Sequence, residues 1–419
     1  MIHYNEVLDK AINVSKQFIV KEEQLEIDII QDVYGKINIY LENGNDQILQ
    51  QLERTVKEEI DSWLGYCGNC EENFFVGEQI QEWKKDSEPV CKGIWVFEKY
   101  LTNAYWDGKQ RTDKKLELSS KLVSFYSFKG GVGRTTTMVM TAIALARKGK
   151  KIVVLDFDLE APGVASLFPE DAMSRYGLLD FLLESHVYET EANVDEYMYP
   201  VGEYCHVNQA GGEIYIVPAI GSATREDTET YRKSLMRFDL DIPLYEDKKT
   251  PIDVLLTKID NFVKPDYIFI DTRSGIHQIG GITLSRYSDL AMLFFYGSNQ
   301  NVQGMKTTIP ILKKENTPFV LLNVKVPVNA ELAELEKKVY LEGSYEALGI
   351  TNEEYRNGEI AIDDETGEHY PIDISYYAGL EVIQNTDQLI KVCNEQEYEI
   401  GKVVMAIEDA LTEEDEHSY

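Results

Sequence analysis

Hydrophobic and polar positions follow two different patterns along the chain, and the change comes near residue 120. Helical spacing covers residues 5–19 and 46–64, and strand-like alternation covers residues 25–30 and 36–41. A Trp- and Tyr-rich stretch, KGIWVFEKYLTNAYWDG, closes this part, and the polar segment KQRTDKKLELSS follows it. We therefore predict a small N-terminal α+β domain over residues 1–115 and a second domain over residues 120–419, joined by a polar linker.

In the second part, short continuous apolar runs alternate with helical stretches. The runs are residues 122–128, 152–155, 214–217, 267–270, 291–296 and 319–324. Strands that are apolar on both faces, with helices between them, are typical of an α/β fold: a mainly parallel sheet with helices on both faces. Ligands of such sheets bind at the carboxyl ends of the strands, so we expect the chemistry there.

The charge narrows the choice of partners. The 419 residues include 41 Lys and Arg against 73 Asp and Glu, a net charge of -32, and residues 326–419 alone hold 24 acidic and five basic residues. A broad basic surface for nonspecific DNA binding is therefore not expected, and neither is a basic amphipathic membrane anchor. The N-terminal sequence has no basic-then-apolar signal pattern, and no apolar run is long enough to span a bilayer. We expect a cytoplasmic protein with protein partners and no membrane partner.

Five cysteines are present, and two of them, Cys67 and Cys70, form a CGNC pair. The pair could be half of a zinc site or a redox pair. However, only Cys91 lies nearby and no histidine is close in sequence, whereas a structural zinc normally has four ligands. We favour reduced thiols over a metal site.

The strongest chemical signal is the segment KLVSFYSFKGGVGRTTTMVM, an apolar strand followed by a glycine-rich loop and a helix. Glycines let successive backbone N–H groups point into one concavity, and the helix N-terminus adds a partial positive charge. This pattern predicts a site for a di- or triphosphate. The candidate phosphate-binding residues are Gly130, Gly131, Val132, Gly133, Arg134, Thr135 and Thr136. Thr135 is also placed to put its hydroxyl on Mg²⁺.

Against the general phosphate-loop pattern GxxxxGK[ST], Phe128 replaces the first glycine and Arg134 replaces the lysine. With Lys129 before the double glycine, the loop instead resembles the deviant loop KGGxGK[ST] of the ParA/MinD-type ATPases, in the SIMIBI class of P-loop NTPases. It is the KGGVGR variant of that loop. The resemblance covers residues 120–325 well. It implies that Lys129 reaches across a dimer interface to the nucleotide of the partner.

Two further segments resemble the family in the expected order. LDFDLEAPG matches the switch I pattern, which implies that Asp158 orients or activates the attacking water and that Asp156 holds the loop and the metal shell. PDYIFIDTRSG matches the Walker B and switch II pattern DTxxG. In it, Asp271 is suited to hold Mg²⁺ through a bound water, and Gly275 is placed to offer its N–H to the γ-phosphate.

Whether the site recognises adenine or guanine is a separate question, because related folds use GTP. Residues 257–260, TKID, resemble the guanine-reading [NT]KxD motif, but they precede Asp271 and lie in a helical stretch. The strand FVLLNVK instead places Asn323 where the family has an adenine-contacting asparagine. We therefore expect ATP, with Mg²⁺, rather than GTP.

Our leading hypothesis is a slowly hydrolysing ATPase that acts as a nucleotide-dependent dimer switch, with ATP sandwiched between two copies. By resemblance, such proteins serve bacterial multi-component regulatory or defence systems, and residues 1–115 would recruit a protein partner. The alternative is a hydrolysis-deficient nucleotide-sensing adaptor, since Arg134 has a wider, planar head than lysine. A third hypothesis, nucleic-acid partition, disagrees with the acidic C-terminal part.

Overall fold

The chain folds as two units, Met1–Ala104 and Tyr105–Tyr419. The computed structural model describes residues 3–20, 25–32, 35–60, 63–64, 74–76, 84, 89–98, 104–107, 116–188, 193–207, 211–225, 227–238, 249–383 and 385–417. The CGNC pair and most of the predicted linker lie outside the described residues. The proposed boundary between residues 115 and 120 therefore stays a prediction.

The first unit combines two helices with a mixed sheet. Its elements are α1 (Tyr4–Ile19), β1 (Glu26–Gln31), β2 (Ile37–Glu42), α2 (Asp46–Ile60), β3 (Phe74–Val76) and β4 (Ile94–Glu98). The described strands lie in the order β3-β2-β1-β4, with β1 and β2 antiparallel and the other two pairs parallel. The apolar positions of the predicted strands, such as Ile27, Ile29 and Ile39, pack with Leu52 and Val56 of α2 in one core.

The second unit is built on a larger sheet. Its strands are β5 (Lys121–Ser127), β6 (Lys151–Asp156), β7 (Tyr199–Pro200), β8 (Glu213–Val217), β9 (Tyr267–Asp271), β10 (Leu290–Phe295), β11 (Phe319–Val326) and β12 (Ile372–Ser375). In the described part of the chain they lie in the order β12-β11-β10-β5-β9-β6-β8-β7. Only the short edge strand β7 is antiparallel to its neighbour. All six apolar runs form parallel strands of this sheet.

Helices cover both faces of the large sheet. They are α3 (Arg134–Arg147), α4 (Leu178–Tyr188), α5 (Ser222–Arg225), α6 (Thr228–Leu235), α7 (Pro251–Val263), α8 (Gln278–Ile282), α9 (Asn299–Glu315), α10 (Ala330–Gly349), α11 (Glu353–Arg356), α12 (Thr386–Glu395) and α13 (Glu397–His417). A π-helical turn, Thr283–Tyr287, continues α8. Alternate residues of β6 join different cores: Ile152 and Val154 pack with α3 and α13, whereas Val153 and Leu155 pack with α4 and α7. The predicted α/β class, with its smaller N-terminal unit, is confirmed.

The acidic C-terminal part returns to the sheet. Residues 373–410 have helical spacing, and α12 and α13 lie within or across that range. Val403 and Ile407 of α13 share a core with Ile143 of α3. These helices therefore pack on the sheet, as their apolar spacing predicts, whereas residues 373–375 at the start of the range are not helical. They belong to the edge strand β12, whose four residues are too few to show a strand period.

None of the described helices is long and apolar enough to cross a bilayer.

Candidate functional site

The glycine-rich loop joins β5 to α3 and supplies backbone donors at the carboxyl edge of the sheet. Gly131 and Gly133 have φ angles of 71° and 84°, and Gly133 is the N-cap of α3. A Cβ built on either one meets nothing within 4 Å, so glycine is needed there for backbone conformation rather than for space. No backbone N–H from Gly131 to Thr136 donates to another described residue. The loop therefore offers a row of free donors to an anion.

These donors open into a cavity of about 630 Å³. The loop and the start of α3 form one side of it, and Asp158 and Ser274 lie beside them. Other lining residues come from the ends of β11 and β12 and from the chain after β12, among them Lys325, Tyr376 and Tyr377. The volume falls within the usual range for sites that enclose a small-molecule ligand.

The predicted carboxylates Asp156, Asp158 and Asp271 come together beside this loop. Asp156 and Asp271 end the adjacent parallel strands β6 and β9 and are register partners. Asp156 is fully buried. It accepts hydrogen bonds from the backbone N–H groups of Asp158 (3.2 Å), Gly163 (3.1 Å) and Val164 (3.0 Å). Asp156 therefore holds the loop that follows β6. Its predicted place in the metal shell stays a prediction.

Arg134 does not point along the loop but turns back to the carboxylates. Its Nε donates to Asp271 Oδ1 at 2.6 Å, and its Nη1 donates to Ser127 Oγ at 3.2 Å. Its Nη2 lies 3.5 Å from Asp158 Oδ2. The side chain is only 7% exposed. Burial lowers the pKa of a cation, but the carboxylates outweigh it and the pKa of Arg134 is raised. The arginine is therefore a buried counter-ion of this cluster.

Thr135 joins the same acid from the first turn of α3. Its hydroxyl donates to Asp271 Oδ2 at 2.5 Å, and it also lines the cavity. Asp271 therefore accepts from Thr135 with one oxygen and from Arg134 with the other. Hydroxyl and carboxylate oxygens of this kind are the ligands that Mg²⁺ prefers.

Burial raises the pKa of both Asp156 and Asp158. For Asp156 the largest cause is burial, and the negative charge of Asp271 adds to it. For Asp158 burial again dominates, while Arg134 partly offsets the rise. A carboxylate with a raised pKa is a stronger proton acceptor than an ordinary aspartate, as a residue that activates water requires.

Two predicted residues lie beside the cavity without lining it. Gly275, with φ of 81°, donates its N–H to Ser127 O at 3.0 Å. That bond must open before this N–H can reach a phosphate. Lys129 is exposed, and its Nζ lies 5.9 Å from the centroid of the Tyr296 ring. Its predicted role toward a partner's nucleotide stays a prediction.

Asn323 is buried inside the fold. Its Nδ2 donates to Glu336 at 2.9 Å and to Asp373 at 3.1 Å. The next two residues, Val324 and Lys325, line the cavity instead. The expected contact of Asn323 with adenine therefore needs a rearrangement of Asn323, Glu336 and Asp373, and it stays a prediction.

The TKID segment has a structural role. It lies in α7, and the Asp260 carboxylate accepts from the backbone N–H groups of Ser119 and Ser120 at 3.0 and 2.9 Å. Asp260 thereby fixes the chain just before β5, away from the cavity, so its likeness to a guanine-reading motif is coincidental.

Sequence reasoning missed Ser127, Tyr376 and Tyr377. Ser127 is the last residue of β5 and the hydrogen-bond partner of both Arg134 and Gly275. The two tyrosines follow β12 at the edge of the cavity. A usable signal was the paired aromatic residues directly after a short alternating run, IDIS.

Comparisons with known proteins match the same part of the chain. Residues 120–316, just under half of the chain, match the family model described as "AAA domain". The ATP-binding protein MJ0169 of Methanocaldococcus jannaschii is 30% identical over 157 residues, which are 38% of this chain and 46% of that protein. The septum site-determining protein MinD of Escherichia coli K12 is 30% identical over 118 residues, 28% of this chain and 38% of that protein. The chain thus spans about half the length, or less, of these curated relatives.

Solved structures of similar fold include pNOB8 ParA and the MinD cell division protein of Aquifex aeolicus. The first covers 71% of this chain and 99% of its own length, with a TM-score of 0.43 and 18% identity. The second covers 70% of this chain and 96% of its own, with a TM-score of 0.44 and 16% identity.

Proposed function

Since residues 120–316 form a P-loop ATPase domain of the ParA/MinD type, we propose that the protein binds ATP with Mg²⁺ in the cavity beside the glycine-rich loop, hydrolyses it slowly, and dimerises in the ATP-bound state. The observation that carries the proposal is one arrangement: unpaired loop N–H groups, Thr135 and Asp158 all border the same cavity, and Thr135 donates to Asp271 directly behind it.

The loop and the start of α3 bind the phosphates. Their free N–H groups and the positive end of the helix favour the negative charge of a triphosphate. Thr136 is the third residue of α3 and lines the cavity, where its hydroxyl is placed for a phosphate oxygen. ATP is favoured over GTP because the guanine-like TKID segment is engaged elsewhere and because a relative is an ATP-binding protein.

Thr135 and Asp271 fit a magnesium ion that takes its remaining ligands from phosphate and water. Both supply oxygen, they are already in contact, and Thr135 borders the phosphate site. Bound there, Mg²⁺ would neutralise charge on the β- and γ-phosphates. Thr135 must release Asp271 to accept this role, and Arg134 keeps the Asp271 carboxylate in place meanwhile.

Asp158 is the residue proposed to position or activate water. Its side chain is 14% exposed and lines the cavity, and Ala161 N–H holds one of its oxygens at 3.3 Å. The other oxygen faces Arg134 at 3.5 Å. Because this contact is long, Asp158 can leave the arginine at small cost, whereas Asp271 at 2.6 Å cannot.

Slow hydrolysis follows from Arg134. In the general phosphate loop a lysine at this position contacts the β- and γ-phosphates. Here the residue is Arg134, whose guanidinium is bound to Asp271 and Ser127. Transition-state charge on the γ-phosphate would then be stabilised by Lys129 of a second copy, whose exposed amine is available for that contact. Dimerisation and turnover are coupled in this proposal. A protein partner that binds residues 1–115, in a bacterial regulatory or defence system, would recognise the ATP-bound dimer.

The alternative is a nucleotide-sensing adaptor without hydrolysis. The observation in its favour is that Arg134 engages both acids on which hydrolysis depends, Asp271 and Asp158. If this network persists with ATP bound, the nucleotide is held but not cleaved.

Light scattering and phosphate release, measured on the same full-length preparation, test the proposal. We expect the mass to rise about twofold with ATP and Mg²⁺, and Lys129→Ala to stay monomeric while still binding ATP. Slow release of phosphate should disappear in Asp158→Ala. An unchanged mass with bound ATP would contradict the dimer switch, and dimerisation without release by the wild type would favour the adaptor.

A further inference from the structure

The indole of Trp106 contacts the segment that follows Asp271. Trp106 lies in the 3₁₀ turn Ala104–Trp106, and its Nε1 donates to the carbonyl oxygen of His277 at 2.7 Å. Its ring packs against Tyr126, with centroids 5.6 Å apart. The Tyr126 hydroxyl in turn donates to Gly275 O at 3.3 Å. One indole therefore contacts this segment directly at His277 and indirectly at Gly275.

A glycine notch receives the same side chain. A Cβ on Gly281 of α8 would lie 2.7 Å from Trp106 Nε1 and 2.9 Å from Tyr105 Cβ, closer than real Cβ atoms come. The neighbouring Gly280 differs, because its nearest contact would be Trp106 Cζ2 at 3.5 Å, an ordinary van der Waals distance. Gly281, but not Gly280, is thus required for residues 105 and 106 to dock.

The contacted segment belongs to the nucleotide site. Ser274 lines the cavity, and Gly275 donates to Ser127 next to Arg134. Glu160, two residues after Asp158, forms an ion pair with Arg273 and lies 3.3 Å from His277 Nε2. The residue that accepts the indole N–H therefore also touches the loop that carries Asp158.

We propose that Trp106 is a positioning residue for residues 271–281: its docking into the Gly281 notch holds this segment with the Gly275 N–H bonded to Ser127 O, and its release frees that N–H for the γ-phosphate. In the chain, Trp106 follows the last residue of the first unit, Ala104, by two positions. Because only Tyr105 separates residue 104 from Trp106, a movement of the chain at residue 104 would displace the indole that contacts His277. The nucleotide-dependent part of the inference rests on the proposed function.

Hydrogen exchange of the full-length protein without nucleotide tests the docking itself. We expect Gly281→Ala to raise amide exchange in residues 273–282 by about tenfold, because Trp106 is displaced. Gly280→Ala is the matched control, since it adds the same methyl group to the same helix, and its exchange should equal the wild type. Trp106→Phe keeps an aromatic ring but loses one hydrogen bond, so a rise of about fivefold is expected. Wild-type exchange in both Gly281→Ala and Trp106→Phe would overturn the proposal.

A second measurement separates a positioning role from a merely structural one. The ratio of ATP to ADP affinity, measured with fluorescent nucleotide analogues, should change about fivefold in Gly281→Ala and stay constant in Gly280→Ala. An unchanged ratio in Gly281→Ala, with ATP bound normally, would overturn the link to the γ-phosphate. If the wild type bound no ATP at all, the proposed function would fail, and the nucleotide-free exchange would still decide the role of Trp106.

Discussion

Each unit contains a cation surrounded by three acidic side chains, yet only one of the two clusters is part of a candidate site. In the second unit, Tyr105–Tyr419, which contains the proposed nucleotide site (the nucleotide unit), the members are Arg134, Asp156, Asp158 and Asp271. In the first unit they are Lys84, Glu26, Asp28 and Glu42. Their composition is nearly the same. What differs is the backbone around them.

The Lys84 cluster lies along strands. Glu26 and Glu42 are register partners on β1 and β2, and Asp28 follows on the same face of β1. Lys84 Nζ reaches these three acids at 2.8, 3.1 and 2.9 Å respectively. The neighbouring backbone N–H and C=O groups belong to the paired strands, so they offer a ligand little.

The Arg134 cluster lies where two parallel strands end and a glycine-rich loop begins. There the backbone donors are free, and one of the three acids, Asp158, borders a cavity. Charged side chains alone therefore do not identify a binding site in this protein. Free backbone donors beside them do, and this difference can be tested by changing each cluster in turn.

The largest effect is expected from Asp271→Ala. It removes the acid that binds both Arg134 and Thr135, leaving a buried guanidinium without its closest partner. We expect the nucleotide unit to lose about 3 kcal/mol of unfolding free energy, the lower end for a broken buried pair because Asp156 and Asp158 remain. Mg²⁺-dependent ATP binding should be lost as well. Urea unfolding and titration with a fluorescent ATP analogue measure the two effects.

The control for this variant is Asp363→Ala, an exposed aspartate of the same unit. It should change neither stability nor binding. Retained Mg²⁺-dependent binding in Asp271→Ala would show that the carboxylate cluster is not the metal-binding end of the site.

The corresponding change in the first unit is Lys84→Met. It leaves three acids, two of them nearly buried, without their cation, so this unit should lose about 2 kcal/mol. ATP affinity should stay at the wild-type value. Lys57→Met, which breaks an exposed pair with Glu53, should cost less than about 0.5 kcal/mol. A large loss of ATP affinity in Lys84→Met would remove the contrast between the two clusters.

A smaller effect is expected from Arg134→Lys, which restores the usual phosphate-loop residue. A lysine amine is a single compact group and cannot bind Asp271, Ser127 and Asp158 together as the guanidinium does. We expect it to turn toward the phosphates and to speed phosphate release roughly tenfold, the worth of about one charge-assisted contact in the transition state. Single-turnover release measures the rate, and a rate at or below the wild type would refute the explanation of slow hydrolysis.

The last prediction concerns pH and the first unit. Burial raises the pKa of Asp28 to about 6 from 3.8, and Lys84 only partly offsets this. Because the folded form holds its proton more tightly than the unfolded form, the contribution of Asp28 to stability falls as pH rises from about 4 to about 6 and is constant above that range. The slope of the unfolding free energy against pH should correspond to a difference of less than one bound proton between the folded and unfolded forms. Asp28→Asn should flatten it, and an equal slope in that variant would assign the effect to other groups.

Much of the nucleotide unit could be predicted because its signals are local. Strand runs, the turn chemistry of Gly131 and Gly133, and the acids at strand ends all follow from short segments of sequence. The meeting of Asp156 and Asp271 also follows, since carboxyl ends of parallel strands share one edge.

The unpredicted features depend on contacts distant in sequence. Arg134 binds Asp271 from 137 residues away, and Trp106 contacts His277 from 171 residues away. Asn323 is engaged by Glu336 and Asp373, which motif position alone does not reveal. Strand β12 was missed because it is short and lies at a sheet edge.

Counting bound ATP per chain tests the central claim most directly. In equilibrium dialysis with Mg²⁺ and full-length protein, we predict about one ATP per chain for the wild type and for Lys84→Met, and none for Asp271→Ala at the same ATP concentration. Wild-type protein that binds no ATP, or binding that is lost in Lys84→Met and kept in Asp271→Ala, would contradict the account.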